Sequence, residues 1–288
     1  MTKERIPFRL GEGLGWAALL LAAAVVRVRG ARNGLMLDEI WSLYLARAAK
    51  SPLAVFTTLH NSNNHYLNTL WLYLIGEHGN WPGYRIPSLI AGVAAVAVAG
   101  LIGRRRSRSA AFFAMILTAF SYVQVLYSDE ARGYAALVFF ALLYFYALQL
   151  LLARPDWRRA AMVALTAILG LSAQLIFLNA FAAAVVWSSW VLWHSPRPKS
   201  AIARDLFICH LPPLLFLGWL YWVDLRWLAP VLGTPTTLTK SFASAITWIV
   251  PPLAPGGGAA SRFARRLPVS SLDGGCCGGV SDPRCCFM

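Results

Sequence analysis

Long uncharged apolar runs, broken by short basic clusters, constrain this chain more than any other feature. Ile86 to Gly103 has no charged residue and stops at Arg104-Arg105-Arg106-Ser107-Arg108. Ser109 to Ser128 and Gly133 to Ala153 are likewise uncharged, and the second meets Arg154, Arg158 and Arg159. A run of about 20 apolar residues spans the hydrocarbon core of a bilayer, and Lys and Arg between such runs mark the cytoplasmic side. The chain is 58% hydrophobic and 13% charged, against about 25% charged for a soluble domain. An integral membrane protein follows. The formal charge of +14 does not point to nucleic acid, because the basic residues form no single patch with interleaved aromatics.

The pattern predicts an all-α polytopic membrane protein of about seven transmembrane helices. Lys3, Arg5 and Arg9 place the N-terminus in the cytoplasm. Gly13 to Val26 is short for a span, so Arg27 and Arg29 are expected to snorkel outward and complete it. Residues 30 to 84 then form an outer segment holding interfacial helices, one starting near Ile40 and a second over Tyr66 to Ile75. Ala160 to Trp193 is long enough for two spans turning near Gln174 to Asn179, and Leu206 to Val223 makes the last, kinked by Pro212-Pro213. The multi-span domain is read as residues 1–253, in a cell membrane. No cleavable leader is expected, since no A-x-A-like site precedes a soluble domain.

In this topology Asp38, Glu39, Asp129 and Glu130 share one outer face. Around Asp38-Glu39 the residues Ile40, Trp41, Tyr44, Leu45 and Ala48 fall on one helical stripe, opposite Ser42, Arg47 and Lys50. Such a helix lies flat in the interface, its acidic pair at headgroup depth. The plainer role for Asp38 is a helix N-cap. The outer segment continues with His60-Asn-Ser-Asn-Asn-His65-Tyr66 and ends at Tyr84-Arg85-Ile-Pro87-Ser88. The second loop is Tyr127-Ser-Asp129-Glu130-Ala-Arg132-Gly-Tyr134. Singly, Arg85 and Arg132 read as lipid-phosphate anchors and His65 as a loop histidine. Together they put carboxylates, arginines and a histidine beside lipid, as a site for a lipid-linked phosphate requires.

These motifs, in this order, resemble the C-type glycosyltransferases, and within them the protein O-mannosyltransferase and aminoarabinose transferase group. They are Leu37-Asp38-Glu39 after the first span, Asn64-His65-Tyr66-Leu67, Tyr84-Arg-Ile-Pro-Ser88, and Tyr127-Ser-Asp-Glu-Ala-Arg-Gly-Tyr134. The resemblance covers about residues 10 to 195. Tyr66-Leu67 and Gly133 stand where the family has prolines, and family members are longer. It implies a polyprenyl-phosphate sugar donor and a lipid, glycan or protein acceptor, with Asp38 as catalytic base and Glu39 beside it. Asp129, Glu130 and Arg132 would complete the site. Polyprenyl phosphate leaves readily, so the chemistry needs a base for the acceptor and cations for the phosphate. A partly desolvated carboxylate at the bilayer rim would be the more basic for it, with Arg132, Arg85 and His65 as the cations. A divalent cation is a further candidate for that electrostatic role. No cofactor is otherwise implied.

A transporter or flippase of lipid-linked sugars is the competing class. It should place ionisable residues within spans and show inverted repeats. From Pro251 the composition changes, and residues 254–288 form a Gly-, Arg- and Cys-rich tail without periodicity, expected to be disordered. Cys276-Cys277 and Cys285-Cys286 are poor chelating pairs, and Cys285-Cys-Phe-Met288 matches a prenylation pattern redundant on a multi-span protein. A shifted reading frame or truncated gene, leaving an inactive remnant, is the remaining expectation for this end.

Overall fold

The computed structural model describes residues 10–61, 63–76 and 81–227, and every regular element among them is helical. The expectations for residues 228–288, the tail and its cysteines included, lie outside the described residues. The first helix, α1, runs Leu10–Gly30. The outer segment carries α2 (Leu37–Ala48), the single-turn α3 (Ala54–Thr57), α4 (Tyr66–Ile75) and α5 (Trp81–Tyr84). Then follow α6 (Ile86–Arg104), α7 (Arg108–Phe120), α8 (Tyr122–Ser128), α9 (Tyr134–Ala153), α10 (Trp157–Ala173), α11 (Phe177–Trp193) and α12 (Lys199–Val223).

Local chemistry fixes the starts. The Ser107 hydroxyl accepts from the Ala110 amide at 3.0 Å and caps α7, and the Asp156 carboxylate caps α10 through the Arg159 amide at 3.0 Å. The middle helix, α6, is rich in Ala, Gly and Val, and its small residues let α1, α7 and α9 approach closely. A second group is α9, α10, α11 and α12, joined by a core of Tyr144, Leu148, Leu151, Leu171 and Phe177. Gln174 to Ile176 breaks α10 from α11, within the predicted turn.

The span count is lower than the sequence reading. Leu10–Gly30, Ile86–Arg104, Tyr134–Ala153 and Lys199–Trp227 are long and apolar enough to cross, and α7 with α8 makes a fifth if the bent pair is one span. At 17 residues each, α10 and α11 reach only about 25 Å at 1.5 Å per residue, short of a core of about 30 Å. The chain is a multi-pass membrane protein with four or five such helices among its described residues. Through Pro212 and Pro213, α12 continues as one helix.

Two further expectations change. Ser109 to Ser128 is not one straight helix: it bends by 59° at Ser121, whose backbone is extended. That conformation frees the Thr118 and Ala119 carbonyls from their helical partners. Arg27, expected to snorkel, instead turns inward and is completely buried. It donates to the Ala119 carbonyl at 3.0 Å, the Thr118 carbonyl at 3.2 Å and the Ser128 hydroxyl at 3.1 Å. The break and the arginine satisfy each other. Gly92 makes room for them, because a Cβ there would collide with Ser128 and approach Arg27 Nε to 2.8 Å. Arg29 stays exposed, as expected.

Candidate functional site

On α2 the apolar outward face is Leu37, Ile40, Trp41 and Tyr44, all exposed, while Glu39, Ser42, Leu43 and Ala46 face the protein. Leu45, predicted for the membrane stripe, is buried against Val55, Leu59 and Tyr66. The apolar arc is thus shifted from the predicted one, because both α4 and the α3 turn cover the other side.

The two acids of the pair have opposite fates. Glu39 has no exposed surface and sits among four donors. Arg85 Nε and Nη2 bind its two oxygens at 2.8 and 2.7 Å, and the Ala131 and Met36 amides add bonds of 2.6 and 2.8 Å. Burial alone would push the Glu39 carboxyl up, but Arg85 and the two amides outweigh it and hold it below the usual carboxylate range. Glu39, not Asp38, supplies the N-terminal cap of α2, through the Met36 amide. Glu39, expected beside the catalytic base, is thus enclosed, with both carboxylate oxygens bonded inside the protein.

Arg85 is enclosed as well. Its remaining N–H groups donate to the Ala31 and Asn33 carbonyls at 2.8 Å and to the Gly34 carbonyl at 3.0 Å. All five donors are taken, so Arg85 has none for a substrate phosphate. The pair binds the end of α1, the start of α2, α6 and the second loop to one another.

Asp38 points outward. Its side chain is 57% exposed, and Arg132 Nη1 meets Oδ2 at 2.9 Å. Asp38 and Arg132 line an open cleft of about 410 Å³ together with Trp41, Asn61 and Asn63. Asn63 ties the cleft together. Its Nδ2 donates to the Asp38 carbonyl at 3.1 Å and to Ser42 Oγ at 3.3 Å, while its Oδ1 accepts from Arg132 Nη2 at 3.1 Å. The guanidinium also lies 4.7 Å from the centre of the Tyr134 ring.

The second loop is held from several sides. Asn68 donates to the Ala131 carbonyl at 2.6 Å and Ser88 to the Arg132 carbonyl at 3.1 Å. Gly133 is required by close approach: a Cβ there would strike the Ala173 carbonyl and lie 3.1 Å from His65 Cβ. His65 is buried, with its ring 5.5 Å from that of Tyr134. Burial and the Arg132 charge lower its pKa to about 4, against smaller opposing effects of Gln174 and Asp38. That direction favours the neutral imidazole, which can still meet a phosphate as a hydrogen-bond donor.

Glu130 is nearly buried, 3.9 Å from Arg132 Nη1, and burial raises its pKa despite that arginine, with Glu39 and Asp38 adding to the rise. Asp129 occupies space left by Gly30. Burial lifts it to about 6, opposed by Arg85 and Arg27 and reinforced by Glu130. A carboxyl raised in the folded state destabilises the fold once ionised, so its unfavourable contribution appears as pH rises from about 4 to about 6. Asp129→Asn is expected to raise the melting temperature by about 2–4 °C above pH 6.5, with no gain at pH 4. Melting curves of the detergent-solubilised variant across pH test this, and an equal gain at both pH values would remove Asp129 as the cause.

Asp224, at the C-terminal end of α12, escaped the sequence reading because one acid after an apolar run carries no pattern. It is buried, accepting from the Tyr66 hydroxyl and lying 2.6 Å from His60 Nδ1. Asn68 was missed because a single amide inside the apolar run of α4 carries no pattern either. Among the described residues no group of three or more His, Cys, Asp or Glu side chains is placed to hold a metal ion. Arg132 Nη1 lies between Asp38 Oδ2, at 2.9 Å, and Glu130 Oε2, at 3.9 Å. Family models, curated proteins and solved structures give no match to this chain.

Proposed function

We propose that the chain is a membrane glycosyltransferase that moves a sugar from a polyprenyl-phosphate donor to a lipid, glycan or protein acceptor on the outer face. The observation that carries this reading is the exposed Asp38 carboxylate, paired with Arg132 in an open cleft beside the outward apolar face of α2. An amphiphilic donor would lay its prenyl chain along Ile40, Trp41 and Tyr44 and bring its phosphate to Arg132. The acceptor hydroxyl then attacks the anomeric carbon from the side opposite the phosphate, giving inversion. The new bond joins acceptor oxygen to C1, the C1–O bond to phosphate breaks, and the acceptor proton goes to Asp38. Polyprenyl phosphate departs with the electron pair, its charge met by Arg132.

Orientation follows from charge. With the N-terminus and the Arg104 to Arg108 cluster inside, Asp38, Asp129 and Asp224 all fall outside, and seven crossings result if α10 and α11 each pass a locally thinned bilayer. In a chain whose own five cysteines are replaced by serine, single cysteines at the exposed positions Asn33 and Asn61 should react with an impermeant thiol reagent on intact cells. One at Arg106 should react only after permeabilisation. The reverse pattern would put the cleft on the wrong side. A flippase needs polar groups along a path through the spans, whereas the buried arginine of α1, Arg27, is consumed by helix carbonyls.

The direct test is transfer. Membranes containing the chain should move labelled sugar from polyprenyl-phosphate donors onto an added envelope extract, and membranes without it should not. Failure across mannosyl, glucosyl and aminoarabinosyl donors would count against the proposal.

A further inference from the structure

We propose that the Asp38–Arg132 ion pair is a latch opened by the phosphate of the donor, so that the base is released only when the leaving group is already bound. The inference rests on the glycosyl-transfer reading and concerns the order of events at that site. Its basis is how unevenly Arg132 is fixed. One side of the residue is immobilised: its carbonyl takes the Ser88 hydroxyl, Nη2 lies 3.1 Å from Asn63 Oδ1 and 3.3 Å from the Tyr134 hydroxyl, and the guanidinium stacks on the Tyr134 ring. The other side is not. Nη1 engages Asp38 at 2.9 Å, and Asp38 is 57% exposed. Nε is buried without a hydrogen-bond partner.

Nη1 is the guanidinium face turned to the cleft, and a phosphate brings its non-bridging anionic oxygens to that same nitrogen, which Asp38 Oδ2 holds. An incoming phosphate therefore competes with Asp38 for Arg132. The exchange is asymmetric because Asp38 gives up a solvent-exposed pair, worth little, and keeps water on its other side. Once displaced, the carboxylate is anchored only through its backbone, by the Ser42 and Asn63 bonds to its carbonyl at 3.0 and 3.1 Å. It stays in the cleft with both oxygens free to take a proton. Without donor Oδ2 is held by Arg132 at 2.9 Å, and the guanidinium charge beside it makes the carboxylate a weaker proton acceptor. Glu130 is the internal comparison: it also faces Arg132 Nη1, but at 3.9 Å and nearly buried, so the phosphate has no close bond to displace there.

The test is direct binding of farnesyl phosphate to the full chain in zwitterionic lipid nanodiscs, with farnesol measured alongside. Wild type should bind the phosphate more tightly than the alcohol. Asp38→Asn should tighten phosphate binding by about two- to fivefold, the equilibrium value of one exposed ion pair, and leave farnesol unchanged. Glu130→Gln removes an equal charge without removing a close bond, and should change affinity less than Asp38→Asn. Equal gains in the two variants, or no gain in Asp38→Asn, would overturn the latch while leaving the donor site standing. A wild type that binds farnesol and farnesyl phosphate alike would overturn the donor reading itself, and the latch with it.

Discussion

Arg85→Ala is expected to lower the melting temperature of the solubilised protein by roughly 6–20 °C, corresponding to about 3–5 kcal/mol for a broken buried pair in a protein of this size. The Glu39 carboxylate has no exposed surface, so losing its bidentate partner leaves an uncompensated charge in a low-dielectric site. Three carbonyls, those of Ala31, Asn33 and Gly34, lose their donor in the same step. Arg132→Ala is the contrast: Asp38, its closest acidic partner, is 57% exposed and stays solvated, so the melting temperature should fall by clearly less than in Arg85→Ala. The pH dependence has a definite sign. Since the Glu39 pKa is lowered on folding, its contribution is complete above the ordinary carboxylate range and is lost as pH falls through the lower folded value. Glu39→Gln should therefore be less stable than wild type at neutral pH and lose less of its stability on acidification. Equal tolerance of the Arg85 and Arg132 substitutions would show that the outer segment is not assembled on this pair.

Asp38→Asn is expected to reduce glycosyl transfer by about 10²–10⁴-fold, the usual contribution of a positioned general base. Asparagine keeps the shape and removes the proton acceptor. The fold should be unaffected, because Asp38 is exposed and the cap of α2 is made by Glu39. Transfer from a labelled polyprenyl-phosphate sugar, measured at matched membrane abundance, checks both halves. Near-normal turnover in the asparagine variant would take Asp38 out of the mechanism. Glu39→Gln is the informative companion, since it should fail through loss of stability and not through a selective loss of turnover.

The sequence by itself determined the class of the protein, the positions of most helices and the face on which the acids meet. Uncharged runs and the basic clusters between them are one-dimensional signals, so α6, α9 and the two-helix reading of Ala160 to Trp193 could be placed without contacts. The short α4 was found to the residue, because its apolar run is too brief to span and is bounded by polar residues. What the sequence could not decide was the direction of each side chain. Asp38 and Glu39 are adjacent, and a helix turns by about 100° between neighbours. One therefore faces the cleft and the other the Arg85 guanidinium, and no residue pattern distinguishes them. Arg27, Arg85 and Arg132 look alike along the chain, each at the end of an apolar run. Only the tertiary structure assigns the first to a broken helix, the second to a buried carboxylate and three carbonyls, and the third to the cleft. The bend at Ser121 was invisible for a related reason: its freed carbonyls are satisfied by a residue 91 and 92 positions away. Such long-range pairing depends on how α1 packs against α7, and hydrophobic runs carry no record of that.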